Sequence, residues 1–384
     1  MIAVGVMSGT SLDGVDAALV EIMPSRCSYR IALLDFASRA YDAGVRAALQ
    51  NVLPPNVGSV AAIAKLHRAL GAAFAETAGA VTKARRPDFI ACHGQTVWHD
   101  GPASVTLQIG DPFVVRESLG ATVCYDFRSA DCAAGGHGAP LVAYVDALLL
   151  RSADEDRVAL NLGGVANVTL LRRDAAPGDA VAFDTGPANM LLDAIVQERT
   201  GGRNAFDRDG SLAAAGRVQS GLLNAMLTDE YFAAPPPKTT GRERFGAHFL
   251  AKHGAALAAC SLEDAAATLA ELTAVSIARA LSAQNFRPAR VVVAGGGARN
   301  PTLMARLSHH LAPAPLERSD LHGIPAHAKE AIAFAVLGYE TLRGRAANVP
   351  RATGARRPAM LGAIAPHDLF ALLARVEREC DAAR

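Results

Sequence analysis

The sequence predicts an α/β fold in two related lobes, and three observations carry that prediction. The chain has 384 residues, which at roughly 100 to 200 residues per domain gives two domains or one large one. Hydrophobic residues make up 51% of it but aromatics only 5%, with Trp98 the single tryptophan. The apolar mass is therefore mostly Ala, Val and Leu, which suits helices packed on a sheet. Finally, a strand, a Gly-rich turn and a second strand open each half of the chain, the sign of a duplicated unit.

Composition also excludes classes. With 38 Lys+Arg against 37 Asp+Glu the net charge is +1, so no global field draws the chain to nucleic acid. The cysteines at 27, 92, 124, 132, 260 and 380 lack C-x-x-C spacing and read as reduced core thiols of a cytoplasmic protein. The amino terminus has no basic n-region and meets Asp13 and Asp16 at once, unlike a signal peptide. No uninterrupted apolar run reaches the ~18 residues of a membrane span.

In chain order, residues 2–7 and 15–22 are rich in Val, Ile and Ala and flank the turn SGTSLDG, with a third strand at 29–36. Val60, Ile63, Leu66, Leu70, Phe74 and Val81 recur at helical spacing. Short buried strands follow at 88–92 and 121–125. The Gly-rich AAGGHGAP, ending in Pro140, is a hinge candidate. Strands at 158–162 and 168–171 then enclose NLGGVAN, and 180–183 makes another. PPPKTTGRERFG is loop or lid material, 262–283 a long Ala-rich helix, and 291–294 a buried strand running into GGGARNP and a helix from Thr302.

Several segments have the residue types for chemistry. Gly9, Thr10, Ser11, Leu12, Asp13, Gly14, Val15 and Asp16 form a turn whose glycines let backbone N–H groups approach phosphate. Its hydroxyls add donors and its carboxylates suit Mg²⁺, although an ordinary hairpin uses the same residues. Asn161, Gly163, Gly164 and Asn167 offer a second such turn. Gly295, Gly296, Gly297 and Asn300 lie at the carboxyl end of a strand, where open α/β sheets bind ligands. Asp184 is placed by the sequence at a strand end just before a helix, either as a general base or, with Thr185, as a helix cap. His93 to His99, holding Gln95, offers a polar ring surface. Arg128 suits an anionic substrate group or an ion pair with Asp126 or Asp131. His137 lies in the Gly-rich hinge, and Glu330 is also a favourable charge in the first turn of a helix.

The order of these motifs is what resembles a known family. MSGTSLDGVD, HGQTVWH, DFR…D…AAGGHGAPL, LNLGGVANVT, FDTGPANMLLD, KTTGRERFG, AGGGARNPTLM and AKEAIAFAVLG are similar to those of the 1,6-anhydro-N-acetylmuramic acid kinases, within the acetate and sugar kinase, heat-shock 70 and actin superfamily. The resemblance covers about residues 1 to 364. It implies two actin-like (ribonuclease H-like) domains around an ATP and substrate cleft: 1–127, completed by a C-terminal helix at 365–384, and 128–364. It implies ATP, Mg²⁺ and water as reactants or cofactors, a homodimer, and Asp184 as catalytic base. Residues 9–16 become the first phosphate segment, 161–167 the second, and 295–300 the adenosine border. Gln95, Arg128, His137 and Glu330 fall on the substrate side, Arg128 for a lactyl carboxylate. Many superfamily members carry an acidic residue before the first Gly-Thr; here that side reads Val6-Met7-Ser8, and no metal ligand is assigned. A kinase for another sugar, and an actin-like assembly or sensor protein, are the rival readings. The segment 367–384, with Leu369, Leu372, Leu373 and Val376 on one helical face, lies outside the family pattern.

Overall fold

Alternating large and small residues on the first strand set the architecture of the amino-terminal unit. The computed structural model describes the chain except residues 10, 11, 13, 25–28, 54, 55, 57, 84, 174, 243, 383 and 384 and the side chains of 380–382. Strand β1 (Ile2–Ser8) sends Ile2, Val4 and Val6 to one face, where they pack with Leu66, Leu70 and Phe74 of the helix Val60–Val81. Its small residues face the other way. Gly5 lets the helix Lys329–Leu342 come so close that a Cβ there would collide with the Ala331 carbonyl. That helix is almost wholly buried.

Around β1 lie β2 (Gly14–Pro24), β3 (Tyr29–Ala40), β4 (Phe89–Asp100), β5 (Val105–Ile109) and β6 (Thr122–Tyr125). Leaving out a short C-terminal edge strand at Ala363–Ala365 and β5, the order is β3-β2-β1-β4-β6: antiparallel from β3 to β1, parallel from β1 to β6. The second unit has β7 (Arg157–Leu162), β8 (Val165–Leu171), β9 (Val181–Pro187), β10 (Arg290–Ala294) and β11 (Leu316–Arg318). Its order is β9-β8-β7-β10-β11, with antiparallel and parallel pairings in the same places. The duplication expected from the two Gly-rich turns is thus present in the strand topology.

The helix Leu262–Ala283 occupies the predicted bounds and serves two cores of the second unit. Its first half packs with Leu191, Ile195, Phe245 and Phe249, and its second half with Val158, Leu160 and Phe183. It is long and apolar enough to cross a membrane, but 72% of its most apolar stretch is buried inside the protein.

By contact the chain divides into one unit of Met1–Leu149, Ala176–Asp179 and Gly323–Arg384 and another of Leu150–Ala175 and Ala180–His322. Packing of Lys329–Leu342 on β1 returns the chain to the first unit well before residue 364. Strand β4 does not stop at Cys92; β5 pairs with its second half, Gln95 with Ile109 and Trp98 with Leu107, keeping it extended to Asp100. The C-terminal helix, Leu369–Ala382, buries Leu372 and Val376 in the first unit but leaves Leu373 exposed, so the inward stripe is narrower than expected. It is fastened by Arg375 to Asp88 and by Glu379 to the Met1 ammonium.

Candidate active site

In the first unit the turn between β1 and β2 rests on a buried hydrogen-bond post. Gln95 is fully buried; its Oε1 accepts from the Ser8 hydroxyl at 2.7 Å and its Nε2 donates to the Gly9 carbonyl at 3.2 Å. Tyr41 OH lies 2.6 Å from Ser8 Oγ. The sequence expectation put Gln95 on the substrate side; the structure places its amide beneath the turn. Ser8 and Tyr41 carried no sequence signal, because a strand Ser and a Tyr 33 residues on meet only through the sheet. Thr10, Ser11 and Asp13 lie outside the described residues. Leu12 has a left-handed backbone, φ 58°. Gly14 is required by packing, since a Cβ would collide with the Arg39 carbonyl. Val15 is core, and Asp16 is half-buried opposite Met7.

Nearby in the same unit, Arg128 is half-buried, its Nε donating to His93 Nε2 at 3.0 Å and its Nη1 to the Gly138 carbonyl at 2.6 Å. Among the described residues no ion pair joins it to Asp126 or Asp131, the alternative the sequence offered. Asp126 instead accepts from the Ser129 hydroxyl, and Asp131, fully buried, from Asn348, Thr353 and the Gly138 N–H. Burial, then the Arg128 charge, hold His93 down at about 3, so its ring is neutral. Its Nδ1 donates to the Gly94 carbonyl at 2.8 Å, leaving Nε2 as the acceptor Arg128 needs. Burial lowers the Arg128 pKa while Glu330 opposes the shift. Among the described residues, Arg128 Nη2 has no hydrogen-bond partner. His137 is half-buried, its N–H bound to the Thr353 carbonyl at 2.7 Å, and Glu330 is exposed in the first turn of its helix.

In the second unit, Gly163 and Gly164 turn β7 into β8. Their carbonyls accept from the start of the helix Asn189–Arg199: Asn189 to Gly163, Ala188 and Met190 to Gly164. A Cβ on Gly164 would meet only Met190, at 3.6 Å. Packing therefore does not require glycine at this exposed turn. The three glycines after β10 divide. Gly295, φ 85°, and Gly297 are needed by packing, their Cβ positions lying 2.6 Å and 2.7 Å from Leu162 atoms. Gly296 is exposed with nothing within 4 Å. Asn300 caps the helix Pro301–Leu311 through Leu303 N–H. Asn161 and Asn167 face each other across the hairpin.

Asp184 lies inside β9, not at its end. The strand runs through Pro187, and the helix that follows is capped at Ala188 without any side chain. Thr185 donates to the Ala166 carbonyl. The helix-cap alternative is therefore excluded for both residues, and Pro187 ends the strand. Asp184 is half-buried, and its Oδ2 accepts the Thr240 N–H at 2.9 Å.

Among the described residues no three His, Cys, Asp or Glu side chains cluster as a metal cage.

The family model for anhydro-N-acetylmuramic acid kinase matches residues 1–367. The anhydro-N-acetylmuramic acid kinase of Streptomyces coelicolor is 43% identical over 372 residues, covering 95% of this chain and 94% of that protein. Those of Streptomyces avermitilis and Gloeobacter violaceus are each 45% identical, covering 95% of this chain and 94% and 98% of theirs. With matches of this depth along nearly its whole length, the chain belongs to the anhydro-N-acetylmuramic acid kinase family.

Proposed function

We propose that the chain uses ATP and water to open the 1,6-anhydro ring of 1,6-anhydro-N-acetylmuramic acid and phosphorylates O6, giving N-acetylmuramic acid 6-phosphate and ADP. The observation that carries the mechanism is Asp184, a half-buried carboxylate held inside a strand and serving no helix end. Asp184 takes a proton from water as its oxygen bonds to C1; the C1–O6 bond breaks, and O6 takes the γ-phosphoryl group as ADP departs. The backbone at Gly164 and Gly296 offers donors to the nucleotide without steric obstruction, and the turn at Gly9 is held ready by Gln95. Mg²⁺ carried with the nucleotide would supply charge compensation for the phosphates. Arg128, with one guanidinium nitrogen uncommitted among the described residues, suits the substrate's lactyl carboxylate. The shared strand order of the two units supports reading each as an actin-like (ribonuclease H-like) domain.

Running the reaction in ¹⁸O-labelled water tests this: label is expected at C1 of the product, whereas label in phosphate alone, or no sugar phosphate, overturns it. Asp184→Asn is expected to bind ATP normally and lose at least about 10²-fold in turnover, the usual range for a general base.

A further inference from the structure

The sequence marks residues 235–246 only as loop or lid. In the structure this segment and the short helix before it, Glu230–Ala233, are docked on Asp184. β9 is the edge strand of its sheet, with β8 on one side only, so its other side presents main-chain groups with no strand partner. At Asp184 those groups are taken up by the segment. The Asp184 N–H donates to the Lys238 carbonyl at 3.1 Å, and Tyr231 OH donates to the Asp184 carbonyl at 2.8 Å. With the Thr240 N–H on Oδ2, three hydrogen bonds, one from the short helix and two from the segment after it, converge on a single residue.

The segment is itself braced. Lys238 Nζ donates to the Tyr231 carbonyl at 2.9 Å and lies 4.6 Å from the centre of the Tyr231 ring. Arg244 also lies over that ring, at 5.6 Å, and binds Asp229 through Nε and Nη2. Asp229 caps the helix at the Tyr231 N–H, and the Tyr231 ring packs edge-on against Phe245. The Thr240 hydroxyl is buried without a hydrogen bond among the described residues. A group left so is costly, which leaves its main-chain N–H as what this position supplies.

We propose that this segment is the positioning element of the catalytic carboxylate: Tyr231, Lys238 and Thr240 fix Asp184, and the Lys238 ammonium favours its ionised form. The proposal rests on Asp184 being the base. The Asp184 charge acts on Lys238, opposing the lowering of the lysine pKa by burial. Arg244 is engaged by Asp229 and Glu230, and Arg242 is exposed. The helix after β9 brings Asp193, which is coupled to Asp207. β8 presents Asn167 opposite Asp184, and the helix Leu262–Ala283 meets the end of β9 with Thr273 and Ser276, all uncharged.

The test compares kcat, both KM values and the pH dependence of kcat/KM in the full-length enzyme and its variants. A cation lowers a neighbouring carboxylate's pKa, and a base works only when ionised, so Lys238→Met should move the acid limb upward by about half a pH unit or more. Lys238→Arg should bring it back. Tyr231→Phe, which keeps the ring and its packing, should lower kcat at least about 10-fold while both KM values stay within about twofold. An unmoved acid limb in Lys238→Met, or wild-type kcat in Tyr231→Phe, overturns the proposal; Tyr231→Phe decides alone if Lys238→Met does not fold. Asp184→Asn separates the two readings. Its inactivity beside clamp variants that behave as wild type defeats only the positioning role, and near-normal turnover retires Asp184 as the base.

Discussion

Asp193 is a carboxyl at odds with its surroundings: burial first, then the charge of Asp207, push it up to about 6. Between its unfolded value near 4 and that value the folded state holds the extra proton, so this group's contribution to stability is lost as pH rises through the window. Asp193→Asn is therefore expected to raise Tm at pH 7.5 and change it little at pH 4, as followed by thermal unfolding; a larger gain at pH 4 would contradict the assignment. His93 runs the other way. Its folded value of about 3 lies below the usual 6.5, so its contribution is present above pH 6.5 and is lost as pH falls. At this scale the sequence offered Asp184 as a candidate but not the residues that bind it. Tyr231 and Thr240 lie 47 and 56 residues away; Thr240 and Lys238 reach Asp184 through main-chain groups, which every residue type possesses. Arg128 stood out in the sequence as a candidate for an anionic group, whereas its bond to His93 depends on a tautomer that only the fold sets.

Glycines that look alike in the sequence separate once strands and helices are in place. Gly5 lies where the helix Lys329–Leu342 crosses β1, and Gly164 on an open turn. Gly5→Ala is expected to cost at least about 1–3 kcal/mol, as overpacking does, visible as a lower urea midpoint. Gly164→Ala should leave that midpoint in place and weaken ATP binding severalfold in calorimetry, since the added methyl meets only Met190 and stands at the turn proposed to hold phosphate. Equal effects on both readouts would defeat the distinction. Elements with strong periodicity, such as 60–81 and 262–283, were legible because burial of one face dictates the spacing of apolar residues. The continuation of β4 was not, because it depends on β5, whose short run Val105–Ile109 is half exposed and carries no core pattern.

At the scale of the molecule, duplication was legible from two Gly-rich turns between strands, but the division of the chain was not. Nothing local announces that residues after 322 return to the first unit, since that depends on small residues of β1 meeting a helix more than 300 positions later. Trp98, 48% exposed on β4, has one more consequence. As the single tryptophan it makes the chain a one-channel optical reporter, in which indole emission describes the first unit and is silent about the second. Urea unfolding watched at Trp98 should give one midpoint and far-UV dichroism, which sums over both cores, a different or broader one. Coincident curves would mean that the two units melt as one cooperative body, and the same indole would then serve as a gauge of the whole enzyme.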